Sequence, residues 1–436
     1  MYVKHMSALE SLIATSGEAP MMDSLDFSLP PATSAVVDRR QHVRAYPTSA
    51  STLTPTGTRT VRIRLGGDDF CDASSIRIQY TINEIAGVGG HSLVPWTGPW
   101  GAWGQVYLRS NGCELDNIPQ YGRFHQQYGW NQLSQEEQFG ESGICGMAGS
   151  YTTGLAPLSV PAMGTIAPNG SYTVIHKVHV SLFNSGRYLP LRYMPLELEM
   201  SLNSTVTDWL NSDAGGNSTS YAITNIQLMY DAVILDEAVQ ESFYKALLAS
   251  RVLSIPTMTV YQVVQSIPGG STSFSFSAVR AFSRLSHVWL TFRAAGARSS
   301  EFFNPTTLAG LGAAPALADG GCPTARLSIG LHYWPDPQPV GTLGEMFYQL
   351  QRALPSIPNI SRDNFAAQTA SRGTFTICFD LRKVPGDPTS SVSTRSGDLM
   401  RIDLQNLTGD LVTECWCTMF AFSVTACRES GVSLLT

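Results

Sequence analysis

Short segments in which apolar and polar residues alternate recur along most of this chain of 436 residues. Val61, Ile63 and Leu65 alternate with arginines, and the stretch 76–82 continues the same pattern. A period of two is that of a β-strand with one buried and one exposed face. We therefore predict an all-β protein whose strands are short and mostly antiparallel. The predicted strands cover residues 61–65, 76–82, 106–108, 172–182, 196–202, 222–235, 257–264, 272–278, 287–292, 326–333, 374–381, 399–404 and 415–424.

The second half of the chain repeats the order of elements found in the first half. A strand and a helix-like segment at 105–108 and 121–128 correspond to 327–331 and 343–350. Eight short strands interrupted by a helix are typical of a jelly roll. The repeat therefore predicts two consecutive eight-stranded jelly rolls with short inserted helices. The predicted division is an N-terminal arm at 1–57, a first jelly roll at 58–235, a linker helix at 236–250 and a second jelly roll at 251–436.

A helical pattern separates the two halves. Asp236 can cap a helix, and Glu237 lies near the positive N-terminal end of that helix. Val239, Phe243 and Leu247 follow at intervals of four residues and form one apolar stripe. We therefore predict a linker helix of about three to four turns that follows the last strand of the first unit.

The sequence contains few residue patterns that indicate chemistry. His176 and His179 are three residues apart in a predicted strand, which places them on opposite faces and argues against a shared metal ion. Asp68, Asp69 and Glu137 are the acidic candidates for a hydrolase, but no motif supports them. We predict no enzymatic activity, no metal and no cofactor.

The overall charge and hydropathy exclude further classes of protein. The 28 Lys and Arg residues against 34 Asp and Glu residues give a net charge of −6, which is not that of a dedicated nucleic-acid-binding protein. No apolar stretch is long enough to span a bilayer, and residues 1–20 do not have the pattern of a secretory signal. The expected protein carries neither a transmembrane helix nor a secretory leader.

An alternative function is a β-sandwich module that binds carbohydrate or a receptor, as in a viral spike or a lectin. Trp96, Trp100 and Trp103 could form an aromatic platform for a saccharide. The other interpretation of these tryptophans is a buried or inter-subunit loop, which we favour.

The junction between the halves resembles that of a known family. Residues 228–243 run from a strand through Asp236 and Glu237 into a helix, and 189–198 contain a strand marked by prolines. This layout, together with the closing strand and tail at 417–432, is similar to double-jelly-roll major capsid proteins of the adenovirus-like lineage. The resemblance is to the capsid proteins of polinton-like viruses and virophages in particular.

The resemblance implies a structural protein of the virion that is assembled inside the host cell. In this family three copies form a pseudo-hexagonal capsomer, whose strands stand normal to an icosahedral shell around a DNA genome. The implied partners are other copies of the chain, neighbouring capsomers, and minor capsid and penton proteins. The expected tower loops are 296–322 and 140–164, and the candidate outer-loop residues are Arg298, Phe302, Phe303 and Asn304.

The arm contains a basic cluster of Arg39, Arg40 and Arg44. The resemblance places this arm at the inner face of the capsid, so we expect these arginines to contact a minor capsid protein, an internal membrane or the genome. A solvated linker is the alternative. Deletion of residues 1–50 is expected to leave trimers intact and to impair shell assembly.

Overall fold

The computed structural model is built almost entirely from β-strands. It describes residues 37–85, 92–93, 95, 98–132, 166–210, 218–249, 251–278, 280–294, 323–336, 338–354, 375–384, 386–395, 399–407, 412–428 and 431–435.

Ten strands and one helix precede the linker. They are β1 (Val37–Ala45), β2 (Thr60–Leu65), β3 (Phe70–Asp72), β4 (Arg77–Glu84), β5 (Trp103–Ser110), β6 (Cys113–Ile118), α1 (Tyr121–Gln132), β7 (Ser171–Lys177), β8 (Tyr188–Pro190), β9 (Leu196–Leu202) and β10 (Tyr221–Leu235).

The linker helix, a third helix and nine further strands follow. They are α2 (Glu237–Leu248), β11 (Leu253–Ser266), β12 (Ser273–Ala278), β13 (Leu285–Ala294), β14 (Thr324–Ile329), β15 (His332–Trp334), α3 (Leu343–Ala353), β16 (Ile377–Asp380), β17 (Met400–Gln405), β18 (Val412–Arg428) and β19 (Gly431–Leu435).

The second half of the chain forms two antiparallel sheets of a jelly roll. One sheet has the order β11-β18-β13-β16 and the other has the order β12-β17-β14-β15. We number the strands β11 to β18 of this half from one to eight. The first sheet then has the order 1-8-3-6, and the second sheet has the order 2-7-4-5. Every connection between successive strands of these eight, except the β14–β15 hairpin, therefore crosses from one sheet to the other, and this crossing is what defines a jelly roll. Strand β19 adds to β18 at the outer edge.

The first half of the chain has the same topology. Its sheets contain β1-β10-β4-β7 and β2-β9-β5-β6, and the short strands β3 and β8 extend the first sheet beside β10. The predicted pair of consecutive jelly rolls is thus present. Helices α1 and α3 occupy equivalent positions after the fifth strand of each roll, where the sequence predicted helical segments.

Strand β1 was not predicted, because its residues were assigned to the N-terminal arm. It pairs with β10 from Val37 opposite Leu235 to Ala45 opposite Leu228, in the position that β11 occupies in the second roll. Most of its side chains are exposed on both faces, so the sequence lacks the alternation that marks a half-buried strand. The described part of the predicted arm therefore begins with the first strand of the first jelly roll.

One hydrophobic core extends through both rolls. Strand β9 illustrates its origin, because Leu196, Leu198, Met200 and Leu202 are buried while the residues between them are partly exposed. Helix α1 lies where the two rolls meet. The Phe124 ring of this helix lies 6.3 Å from the ring of Phe420 in β18.

The two rolls have their long connections at the same end of the molecule. The end of the third strand pairs with the start of the sixth strand in each roll, as at Asn83 with Ser171 and Leu290 with Ile377. The chain therefore leaves the third strand at this end, and it enters the sixth strand at the same end. We call this end the loop end. The guanidinium of Arg293 lies 3.7 Å from the Asp208 carboxylate, which aligns the loop ends of the two rolls.

The opposite end, which we call the base end, contains the chain entry and the linker. Val37 at the start of β1 pairs with Leu235 at the end of β10, so residues 1–36 join the first roll at this end. Helix α2 begins here, directly after β10.

Two truncations distinguish β1 from the residues before it. Removal of residues 1–36 should leave the unfolding midpoint in urea unchanged. Removal of residues 1–50 should lower the free energy of unfolding by at least about 2 kcal/mol, because the strand pairing of β1 and the packing of Val43 and Ala45 are lost. Equal stability of the two truncated chains would contradict the assignment of β1 to the roll. Deletion of residues 1–50, for which the sequence predicted intact trimers, therefore also removes a strand of the first roll.

Candidate functional site

The basic cluster of the N-terminal segment lies on strand β1, and only part of it is free to contact a partner. The Arg40 guanidinium donates to the carboxylates of Asp72 and Asp231 at 2.6 and 2.9 Å. Arg39 and Arg44 are exposed, and neither forms an ion pair within the described part of the chain. Of the three arginines predicted to contact a partner, Arg40 thus holds β1 on the first roll, and Arg39 and Arg44 present the exposed positive charge.

Asp231 is the carboxylate that anchors β1. Its Oδ1 also contacts the His42 ring nitrogen Nδ1 at 3.1 Å. Burial alone would raise the pKa of Asp231, but His42 and Arg40 together hold that pKa below its usual value.

The linker helix α2 is built as the sequence predicted. The Asp236 side chain accepts from the backbone N–H of Ala238 at 2.8 Å and so caps the helix. Val239 and Phe243 pack on a small apolar cluster at the base end, where the Phe243 ring lies 5.7 Å from that of Phe70. Leu247 is buried, and Glu237 lies exposed in the first turn. The apolar stripe thus attaches the helix to the rolls.

The predicted outer-loop residues Arg298, Phe302, Phe303 and Asn304 lie outside the described residues, as do Trp96 and Glu137. The same holds for the tower segment 296–322 and for 140–164.

Trp100 and Trp103, two of the three tryptophans considered for a saccharide platform, do not lie at the surface. Trp100 and Trp103 are buried, and the Trp103 ring meets that of Tyr80 edge to face at 5.3 Å. Trp100 stacks on His125 with ring centroids 4.4 Å apart. These two side chains therefore belong to the core, as our favoured interpretation predicted.

Helix α1 brings polar and charged groups into the interface between the rolls. The buried Arg123 guanidinium donates from Nη2 to the carbonyl oxygen of Phe292 in the second roll at 3.0 Å, and it lies over the Trp416 ring at 4.7 Å. Burial lowers the pKa of Arg123 to about 9. The backbone N–H of Gln120 donates to the Gln262 side chain at 3.3 Å. The rolls are thus joined by directed hydrogen bonds in addition to apolar packing.

Three buried histidines meet beside α1. The His125 ring lies 4.6 Å from that of His179 and 5.6 Å from that of His176, measured between centroids. His125 Nε2 and His176 Nδ1 both approach the carbonyl oxygen of Lys177, at 3.2 and 3.0 Å, which makes both nitrogens donors. This arrangement corrects the prediction that His176 and His179 point to opposite faces. Strand β7 ends at Lys177, so the alternation of faces stops before His179.

The histidine cluster does not have the geometry of a metal site. No group of three or more His, Cys, Asp or Glu side chains in the described ranges is arranged to hold a metal ion. Asp68 and Asp69 lie in the exposed turn before β3. No helix among the described residues is both long enough and apolar enough to cross a membrane.

Comparison with known proteins identifies the fold. No protein-family profile matches the chain, and no curated protein matches its sequence. Solved structures do match. PBCV-1 VP54, from a crystal structure fitted into a reconstruction of the virophage Sputnik, superposes with a TM-score of 0.60 and 11% identity over 91% of this chain and 96% of that protein.

Two further structures give the same result. The Faustovirus major capsid protein has a TM-score of 0.58 and 9% identity over 95% of this chain and 96% of its own. A chain of the Sputnik virophage structure has a TM-score of 0.57 and 10% identity over 96% of this chain and 92% of its own. At these identities the similarity establishes the architecture. The chain has the double-jelly-roll fold found in viral major capsid proteins.

Loss of the helix cap should be measurable at the junction. Asp236→Ala is expected to lower the free energy of unfolding by about 1 kcal/mol, because one N-terminal N–H of α2 loses its acceptor. Ser242→Ala, at an exposed position of the same helix, is the matched control and should cause no loss. Urea unfolding monitored by circular dichroism measures both. Equal midpoints for the two variants would contradict the capping role.

The buried histidines predict a loss of stability in acid. Burial lowers the pKa of His176 to about 4 and of His179 and His287 to about 3, and it holds the pKa of His125 well below its usual range. The unfolded rings titrate near about 6.5, so between this pH and about 4 the unfolded chain binds more protons. Stability is therefore complete above about pH 6.5 and falls by up to about 1.4 kcal/mol per histidine per pH unit below it.

Asp116 acts in the opposite direction, because burial raises its pKa to about 6. In the folded chain the Asp116 carboxyl retains a proton below about pH 6. The proton uptake of this carboxyl therefore offsets the loss of stability caused by about one histidine. Urea midpoints between about pH 7.5 and pH 5 measure the net effect. Replacement of the exposed His332 by Gln should leave the slope unchanged, whereas His287→Gln should reduce it. A midpoint that does not depend on pH would show that the imidazoles are not buried in the neutral form.

Proposed function

We propose that this chain is the major capsid protein of an icosahedral virus. Its location would be the shell of the virion, with assembly inside the host cell, and its role would be structural without catalytic activity. The observation that carries the proposal is the pair of jelly rolls of identical sheet order, joined side by side with their loop ends together. Full-length similarity to viral capsid proteins adds support at the level of fold.

The repeated roll provides the geometry that a shell requires. Two similar units per chain give six similar units in a closed trimer, so a homotrimer has a nearly hexagonal outline. Capsomers of this outline can pack side by side with six neighbours. Strands that stand normal to the shell would expose the lateral faces of the sheets to those neighbours.

The different chemistry of the two ends supports an orientation in the shell. The long connections leave the loop end, whereas the start of β1, helix α2 and the exposed Arg39 lie at or near the base end; the exposed Arg44 pairs with Met229, near the middle of β10. We assign the loop end to the outer surface, so that the connection containing Arg298, Phe302, Phe303 and Asn304 would face the host cell. The base end would face the DNA genome, where Arg39 and Arg44 would contact a minor capsid or penton protein, an internal membrane or nucleic acid.

The native mass of the purified chain tests this proposal. Light scattering after size exclusion should give three times the subunit mass of 47.2 kDa, and the value should persist on dilution. Electron microscopy of the concentrated protein should then show particles with a hexagonal outline. A monomer at every concentration would contradict the capsomer assignment and would favour a binding module, which a glycan screen would examine.

A further inference from the structure

A cavity of about 390 Å³ lies between the two jelly rolls. The first roll contributes Phe124 and Tyr128 of α1 and the segment 179–185 that follows β7. The second roll contributes residues of β11, β13, β18 and the end of α3. We call this space the inter-roll cavity. Its volume falls in the range that small ligands occupy in proteins.

Two histidines in the wall of the inter-roll cavity have ring nitrogens without hydrogen-bond partners. His179 is 1% exposed; its ring interacts with the Asn184 side chain, but neither ring nitrogen has a hydrogen-bond partner of normal geometry among the described residues. His287 is 6% exposed, and its Nε2 is likewise unpaired, while its Nδ1 lies 3.2 Å from the Ser286 hydroxyl. A buried polar atom without a partner destabilises the folded state. A ligand that supplied oxygen atoms to these rings would offset part of this destabilisation.

The charges around the cavity favour an anion. No aspartate or glutamate is among its described lining residues, and the basic groups are His179, His287 and Arg382. Arg382 is engaged, because its guanidinium donates to Asp380 at 2.8 and 2.9 Å and to two backbone carbonyls. The free donors are therefore the imidazoles. Each neutral ring carries one N–H, so a single carboxylate can accept from both.

The remainder of the wall contains a polar side, with Ser, Thr and Asn side chains, and an apolar side. On the apolar side the Phe420 ring stacks on His287 with centroids 4.3 Å apart. Phe124, Phe422 and the flexible Met258 continue this apolar surface. An unbranched alkyl chain packed here would remove water from these side chains.

We propose that the inter-roll cavity binds a small monocarboxylate with an apolar chain. The carboxylate accepts from His179 and His287, and the chain packs against Phe124, Met258, Phe420 and Phe422. This site is independent of the proposed capsid function, because it depends only on the contact between the two rolls within one chain.

Binding of a carboxylate should be linked to proton uptake. An anion beside two neutral imidazoles favours protonation of one ring, so affinity should rise as the pH falls. The other titratable groups nearby are His125, whose ring lies 4.6 Å from His179, and Asp116, whose carboxylate accepts from the Ser181 backbone N–H at 2.6 Å. The pair of Asp380 and Arg382 is close to neutral as a unit.

Isothermal titration of the full chain with sodium octanoate tests the site. We expect one octanoate per chain, bound more tightly near pH 6 than near pH 8. The double variant with His179→Leu and His287→Leu should bind at least about tenfold more weakly, because both N–H donors to the anion are removed. His332→Leu, which changes an exposed histidine, is the matched control and should bind as the unchanged chain does.

A second variant and a second probe keep the result interpretable. Met258→Trp should block octanoate by filling the cavity while it retains both histidines, and near-ultraviolet circular dichroism verifies that each variant is folded. If the folded chain takes up no octanoate, or if the double histidine variant binds it equally well, the proposal is wrong. Equal affinity for 1-octanol and octanoate would also overturn it, because the carboxylate would then not be recognised.

Discussion

The packing of helix α1 between the two jelly rolls is the contact on which the arrangement of the molecule depends. Each roll is a complete sandwich by topology, so strand pairing within the rolls does not determine how they lie together. The relative position of the two rolls is determined at α1. Its Phe124 ring packs against the second roll, and Arg123 and Gln120 donate hydrogen bonds to that roll. A separate ion pair, between Arg293 and Asp208, joins the two rolls at their loop ends.

The polar character of this interface has consequences for pH and for binding. Apolar packing alone would hold the rolls together over a wide range of pH, but His125, His176, His179 and His287 must remain neutral to stay buried. The interface is therefore stable near neutral pH and weakened by acid. The unpaired nitrogens of His179 and His287 also make the space between the rolls selective, because they favour a ligand with oxygen atoms over a purely apolar one.

The strands and helices that the sequence predicted are those in which one face is buried. The alternation in β9, the stripe of α2 and the cap at Asp236 are local patterns, and each appears in the structure as predicted. Strand β1 was missed because an exposed edge strand has no apolar face to produce a pattern, although its role in the first roll equals that of β11 in the second. The repeat itself contained the missing signal, since an eight-stranded roll requires a strand before β2.

The amino-acid sequence by itself determined the class of fold, the duplication and the junction, because alternation, caps and turns act over a few neighbouring residues. Only the tertiary structure decided which distant residues meet. The ring of His125 in α1 contacts that of His179, which lies after β7. Arg40 donates a hydrogen bond to Asp231, which lies far from it in the sequence, and Trp100 is buried instead of forming a surface platform. Such contacts depend on the crossing of strands between sheets and on the packing of two rolls against one helix. Neither is encoded in the spacing of residues along the chain.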